Sequence, residues 1–451
     1  MCTSLIQKYN VPGPRYTSYP TVPYWENTFS AAQYLETVKH SFTESPEGIS
    51  IYIHLPFCES MCTFCGCNKR ITKNHAVEDP YIRAVLTEWK MYCRLFETKP
   101  IIRELHLGGG TPTFFSAKNL EDLINGIFSY AKKSASCEMS FEGHPNNTTQ
   151  LHLKKLYDLG FTRVSFGVQD YSAKVQRAIH RIQPFENVQQ VTVWAREMGY
   201  TSIGHDLVFG LPFQQNEDIT DTIQKTLSLM PDRISFYSYA HVPWIKGNGQ
   251  RGFADADIPK DDAKRKLYET GRSIFEKNGY KEVGMDHFAL TGDTLLTSSE
   301  TGRLHRNFMG YTATKTQLMI GLGVSAIGDS WYGFGQNVKN LEDYYQMLEW
   351  DQFPIAKGHI LTTEDLKVRT HILNLMCRFE TCWEDDAFYF NEVPDILIAL
   401  REMISDGLIE VTAGGLRITE KGKPFVRNVC MAFDLRLRRS NQDTMLFSMT
   451  V

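Results

Sequence analysis

The sequence has no apolar run that reaches the roughly 18 residues needed by a membrane-spanning helix. Its opening, MCTSLIQKYNVPGPRYTSYP, lacks the long apolar core of a signal peptide. There is no low-complexity tract and no excess of charge. Lys and Arg number 48 against 52 Asp and Glu, a formal net charge of -4, which argues against a nucleic-acid partner or an anionic membrane surface. Thiols are also few, ten in 451 residues. A protein of the cytoplasm is expected, where thiols stay reduced and disulfides are rare. A hydrophobic content of 42% is that of a folded globular chain. Single cores stop growing near roughly 250–300 residues, so a large domain with at least one smaller piece is expected.

What the chain does have is concentrated. CESMCTFCGC, residues 58–67, holds four of the ten thiols and follows the strand-like run ISIYIHLPF. Cys2, Cys93, Cys137, Cys377, Cys382 and Cys430 are scattered, and most of them read as buried, inert thiols. Only Cys377 and Cys382 approach a metal-like spacing.

Strand-like runs rich in β-branched and aromatic residues recur at 49–55, 104–107, 138–142, 163–168, 202–210 and 233–240. Between most of them, stretches such as 79–97, 116–133 and 216–230 repeat apolar residues at spacings of three and four, as amphipathic helices do. Strands alternating with helices predict parallel βαβ units with right-handed crossovers. Periodicity leaves open a barrel or an open doubly wound sheet. The unusual residues favour the barrel. The cysteine loop follows the first run and GGGTPT (108–113) the second. Glu142 ends the third, Gln169 and Asp170 end the fourth, Asp206 lies in the fifth, and Ala240-His241 ends the sixth. Barrel enzymes gather their sites at the C-terminal ends of several strands, whereas an open sheet concentrates its site at one switch point.

The expected fold is therefore α/β, a partial or distorted (β/α)6-type parallel barrel over 49–350. An N-terminal arm, 1–48, precedes it, with little periodicity and a stiff, turn-rich PGPRYTSYPT (12–21). A smaller, mainly helical domain, 351–451, follows. In it a helix is expected over 361–379, capped at Thr362 or Thr363. A helix and hairpin over 393–422, turning at Ala413-Gly414-Gly415, resemble a winged helix. No basic stripe accompanies them, so a packing or capping role is expected rather than DNA binding.

Zinc usually clamps two ligand pairs a dozen or more residues apart. Here all four thiols crowd one loop. Thiolates from one short segment suit an iron–sulfur cluster, and their softness suits it too. Spacing favours a cluster and leaves zinc open.

Cys58-x-x-x-Cys62-x-x-Cys65 also resembles the signature of the radical S-adenosylmethionine enzymes. PGPRYTSYPT, YIHLPFC, CGCNK, LHLGGGTPT, GFTRVSFGVQD, DLVFGLP, MDHFA, LHRNF and GVSAIGD together resemble the oxygen-independent coproporphyrinogen III oxidases, also called dehydrogenases. The resemblance runs along nearly the whole chain. It implies a [4Fe–4S] cluster held by Cys58, Cys62 and Cys65, with Cys67 close by and not ligating. Tyr52, Gly109, Glu142, Ala240 and Ile327 match contacts to the cluster-bound S-adenosylmethionine. Phe64, Gly110, Thr111, Gln169, Arg181 and Asp206 match contacts to a second S-adenosylmethionine site. Tyr52 and Cys67 are the residues to which the match assigns a catalytic part.

The implied reaction removes two propionate carboxyls from coproporphyrinogen III and leaves the vinyl groups of protoporphyrinogen IX. A 5′-deoxyadenosyl radical would abstract the unactivated β-hydrogen, chemistry that a cofactor must supply. The implied partners are the tetrapyrrole and a low-potential electron donor such as flavodoxin or ferredoxin, with the chain a monomer. Arg15, Lys69, Arg70 and Arg306 are candidates for holding substrate carboxylates. Two departures stand out: His144 in Glu142-Gly143-His144-Pro145, where much of the family has Asp, and Met309, where relatives often have Gln. The rival functions are a heme-binding chaperone of the same superfamily and a radical heme-degrading methyltransferase. Cys67 and the N-terminal arm favour decarboxylation over both.

Overall fold

In this computed structural model the described residues are 4–25, 29–243, 250, 252–384, 389–440 and 447–450. Cys2 lies outside them. A single sheet of twelve strands organises the chain: β1 (Ile49–Leu55), β2 (Ile101–Gly109), β3 (Lys132–Gly143), β4 (Arg163–Gln169), β5 (Ser202–Phe209), β6 (Arg233–Ser238), β7 (Lys281–Val283), β8 (His287–Ala289), β9 (Met319–Leu322), β10 (Ile327–Asp329), β11 (Gly333–Asn337) and β12 (Ile355–Ile360). Its order is β12-β11-β10-β9-β1-β2-β3-β4-β5-β6-β8-β7.

Strands β1 to β6 are parallel in sequence order, and β9 adds a parallel neighbour on the other side of β1. All six runs read from the sequence are strands; the second to fourth are longer than read, and the last two end earlier, at Phe209 and Ser238, so Ala240-His241 follow the sixth strand instead of ending it. The sheet does not close, because β6 pairs with antiparallel β8 and β1 with β9. The architecture is thus the partial barrel expected from the strand-end residues.

The crossovers are helical: α2 (Glu78–Cys93), α3 (Ala117–Tyr130), α4 (Gln150–Asp158), α5 (Phe185–Met198) and α6 (Asn216–Ser228), with α7 (Asp261–Lys277) after β6. Ser116 caps α3 by accepting from the Asn119 amide, and Thr149 and His152 form a reciprocal capping box on α4. Strand β1, ISIYIHL, alternates: Ile49, Ile51, Ile53 and Leu55 enter the hydrophobic core on one face, and Ser50, Tyr52 and His54 lie on the other.

Two expectations are corrected. The N-terminal segment contains a helix, α1 (Ala31–Thr43), capped by Ser30. Its apolar positions are diluted by Gln, Lys and His, which hid the period. Its Tyr34 lies directly on Gly335 and close to Gly328, two strand glycines whose missing side chains make the space. The sheet also runs past residue 350, since β12 pairs with β11.

Beyond the sheet, α8 (Thr363–Arg378) is capped by Thr362 with Asp365 in a capping box, as the sequence suggests. The strands Ile409–Val411 and Gly415–Ile418 form the expected hairpin, and Glu380–Cys382 adds a third strand. The arm does not stand apart from this region. Tyr9, Tyr16 and Tyr19 share a buried core with Val368, Ile372, Val429 and Phe433. Arg427 donates to the Pro14 carbonyl at 2.8 Å and to that of Gly13. Cys377 and Cys430 are buried, Cys93 and Cys137 half-buried, and Cys382 exposed.

Candidate active site

The C-terminal ends of β1 to β5 open on one cavity of about 400 Å³. The loop leaving β1 brings Cys58, Cys62, Phe64, Cys65 and Cys67 to its wall. Strand β2 brings Gly109, Gly110 and Thr111, β3 brings Glu142, β4 brings Gln169, and β5 brings Asp206, with Arg181 closing one side. Side chains scattered over 149 positions thus meet because parallel strands all end on the same rim.

The cysteine loop is held from several directions. Phe57–Cys58 pairs with Arg70–Ile71, the Thr63 hydroxyl donates to the Ala178 carbonyl at 3.0 Å, and His54 Nε2 meets the Asn68 carbonyl at 2.8 Å. The Lys69 ammonium donates to the carbonyls of Cys65 and Cys67 at 3.2 and 3.4 Å. The thiols differ in character. Burial pushes Cys58 up to about 11, although Thr111 lies 3.3 Å from its sulfur. The Cys67 hydrogen bond lowers the pKa of Cys65, with the Lys69 and Arg181 charges adding to it.

Among the described residues no three His, Cys, Asp or Glu side chains converge as they would around one metal ion. A cuboidal cluster asks something different, that each thiolate reach its own iron. Three soft thiol donors on one tethered loop, beside the cationic Lys69 and Arg181, fit such a cluster and its negative charge.

Tyr52, Ile327 and Ala240 do not line this cavity. Tyr52 sits just beneath it. Its ring stacks on His106 at 6.0 Å, and its hydroxyl lies 3.0 Å from His54 Nδ1. A Cβ on Gly108 would lie 3.0 Å from the Tyr52 ring and 3.1 Å from the Glu142 carboxylate, so that glycine is where the two come together. The Ile327 carbonyl presses on Gly321, the register partner of Tyr52. Ala240 follows β6, and its carbonyl accepts from Gln250 at 2.9 Å.

Glu142 is positioned from two sides: the Gly109 amide donates to Oε2 at 3.3 Å, and His106 Nε2 lies 3.5 Å from Oε1. His106 is itself fixed by Ser140, 2.8 Å from Nδ1. Asp206 accepts from the Ser165 hydroxyl at 3.0 Å. Burial, and then the Glu142 charge, raise its pKa to about 6. Gln169 has φ +69°, an unusual conformation for a non-glycine residue, and it packs with Arg181 into the space above Gly167. His144 lines the cavity too. Burial and the Arg181 charge lower its pKa to about 2, so it is neutral, and its Nδ1 accepts from the Asn146 amide at 3.2 Å.

A second, inner cavity of about 100 Å³ lies within the strands and shares Glu142 and Asp206 with the first; Met309, Tyr237, His287 and Tyr311 line it. Among the candidate carboxylate holders, Lys69 lines the main cavity. Arg70 faces solvent and pairs with Glu342 at 3.1 Å. Arg15 donates to the Ser238 carbonyl at 2.7 Å. Arg306 is buried, 4.5 Å above the Tyr311 ring. Sequence reasoning passed over His54 and His106 as site residues. Both stand in the quoted motifs, and the signal was the two-residue strand period that puts His54 on the same face as Tyr52.

Comparison with known proteins agrees with this geometry. The family model of the Radical SAM superfamily matches residues 52–226, the span that carries the cysteine loop and the first five strands. The chain thus carries a radical SAM domain in the strands whose ends line the cavity. The oxygen-independent coproporphyrinogen III oxidase of Escherichia coli is 37% identical over 443 residues, covering 97% of this chain and 95% of its own. That of Synechocystis is 34% identical over 451 residues, covering 98% and 96%. The solved structure of the Escherichia coli coproporphyrinogen III oxidase, described as a radical SAM enzyme, superposes with a TM-score of 0.89 at 35% identity, covering 94% of this chain and 98% of that one. The chain belongs to the oxygen-independent coproporphyrinogen III oxidase family.

Proposed function

We propose that this chain converts coproporphyrinogen III to protoporphyrinogen IX by anaerobic oxidative decarboxylation of two propionates, in heme biosynthesis. The observation that carries the reading is the single cavity on which Cys58, Cys62 and Cys65 open together with Gly109, Glu142 and Asp206. Cys58, Cys62 and Cys65 would hold a [4Fe–4S] cluster, and S-adenosylmethionine would bind beside it. When bound, these groups supply electron transfer and hydrogen abstraction that no acid or base side chain achieves on an unactivated carbon.

The chain's own residues bind and orient. Glu142, braced by the Gly109 amide and His106, presents a carboxylate to an ammonium group. The amides of Gly109 and Gly110 approach a ligand closely because no side chain intervenes. Tyr52 backs this position from below; Ala240, just past β6, and Ile327, on β10, would complete the same pocket from outside the main cavity wall. Arg181, with Phe64, Thr111, Gln169 and Asp206, forms the wall suited to a second S-adenosylmethionine, its planar fork facing a carboxylate. Cys67 would stand beside the cluster without ligating. The inner cavity with Met309 would take the reacting part of the tetrapyrrole.

The reading extends to a monomer working in the cytoplasm with a flavodoxin- or ferredoxin-like donor. It divides the chain into an arm, a catalytic barrel and a C-terminal cap, with the barrel ending after β12. No helix among the described residues is long and apolar enough to cross a membrane.

The test is product identity. Protein reconstituted without oxygen, given coproporphyrinogen III, S-adenosylmethionine, a low-potential donor and an acceptor, should form protoporphyrinogen IX through a mono-vinyl intermediate. Each decarboxylation should release one methionine and one 5′-deoxyadenosine. Deuterium from the propionate β-carbon should appear in the 5′-deoxyadenosine. Tight heme binding with no decarboxylation would hand the function to the chaperone reading.

A further inference from the structure

Arg181 carries a charge that no carboxylate answers. Among the described residues it forms no ion pair. One terminal nitrogen donates to the Gly167 carbonyl at 2.6 Å, and the other points at the Cys62 sulfur, 3.6 Å away. Its Nε is buried without a partner. Its main-chain amide is tied to the Gln176 carbonyl at 2.9 Å, which fixes where the side chain starts. Gly167 leaves the room it occupies, since a Cβ there would lie 2.9 Å from the guanidinium. The residue beside it that could have been acidic is His144, which is neutral. Glu142 and Asp206 line the same cavity but bond to Gly109, His106 and Ser165 instead.

We propose that Arg181 is a redox-tuning residue, whose guanidinium donates to the Cys62 thiolate and raises the reduction potential of the cluster. This rests on Cys62 being a cluster ligand. The physical basis is that charge and hydrogen bonds at ligand sulfurs set such potentials. One electron arriving from the low-potential donor adds one negative charge. A fixed cation 3.6 Å from a ligand sulfur stabilises that reduced state more than the oxidised one, more strongly in a cavity than in open water. Arg181 also lines the wall where a second carboxylate-bearing ligand would sit. The same guanidinium is then shared between ligand and thiolate, and the ease of reduction depends on what fills the pocket.

The experiment is an anaerobic, dye-mediated redox titration of the reconstituted full-length protein without S-adenosylmethionine, followed by electron paramagnetic resonance. Wild type, Arg181→Lys and Arg181→Gln are compared at equal iron and sulfide content. The midpoint should move to more negative potential in Arg181→Gln. Arg181→Lys should fall between, because it keeps the charge and loses the planar fork. Identical midpoints in all three proteins would overturn the proposal while leaving the cluster assignment intact. Loss of the cluster in both variants would make Arg181 an assembly residue and overturn it too. A wild-type protein that holds no cluster would remove the reading on which it rests.

Discussion

Substituting alanine for Gly109 tests the site where backbone, cofactor loop and strand meet. The backbone at Gly109 has φ +118°, and an added Cβ would lie 2.7 Å from Nδ1 of His54. Holding an L-residue at such a backbone angle costs about 1–3 kcal/mol. The clash must also displace His54, whose bonds to Tyr52 and Asn68 contribute about 1 kcal/mol each. The expected loss is about 3 kcal/mol in local stability. If about 2 kcal/mol of it reaches the ligand through Tyr52 and Glu142, S-adenosylmethionine should bind about 30-fold more weakly. Equilibrium binding to anaerobically reconstituted protein, with iron content matched, measures the affinity, and denaturant unfolding measures the stability. Gly292→Ala separates the two contributions, because Gly292 has φ +100° but nothing within 4 Å of an added Cβ. It should cost only the backbone strain. Affinity within about twofold of wild type together with an unchanged unfolding midpoint for Gly109→Ala would refute the reasoning.

Serine at Cys58, Cys62 or Cys65 should abolish the brown chromophore and all S-adenosylmethionine cleavage, whereas Cys67→Ser should still assemble a cluster, as measured by iron content and absorption; an iron-free Cys67→Ser protein would show the ligands wrongly assigned. Asp206 should make binding of an ammonium- or hydroxyl-bearing ligand depend on pH. Its folded pKa of about 6 lies above the ordinary 3.8, so the carboxylate acceptor is lost as pH falls through about 6; Asp206→Asn should flatten that inflection in binding titrations. The sign for folding is opposite: the raised pKa favours the protonated folded state, a contribution full below pH 3.8 that fades as pH rises through about 6. Asp365 is buried, accepts both Arg436 nitrogens at 2.8 Å and caps α8, so Asp365→Asn should cost about 3 kcal/mol. Its pKa is depressed by His359 and Arg436. That stability should therefore be constant above pH 3.8 and lost only in stronger acid, which urea titrations at graded pH would show.

The sequence by itself determined the strand–helix alternation, because each βα unit writes its period locally: β1 as apolar residues at every second position, α3 as spacings of three and four begun by the cap Ser116. It also determined the cysteine loop, since four thiols in ten residues need no tertiary information to be noticed, and the cap on α8, a contact between Thr362 and its neighbour Asp365. Motifs along the chain placed most of the cavity wall before any fold was known. What only the tertiary structure decided were the contacts between segments far apart. The sequence does not show that β9 pairs parallel to β1, bringing Ile327 against the neighbour of Tyr52, because register is set by packing rather than by propensity. Helix α1 was hidden because its polar residues blur a stripe that only Tyr34, seated on two strand glycines, makes plain. His106 became a site residue only when register set it beside Tyr52, and the aim of Arg181 at Cys62, 119 positions away, follows from two loops meeting over the strand ends. Local chemistry is written in the order of residues; which charges face which sulfurs depends on long-range packing, which chain order does not encode.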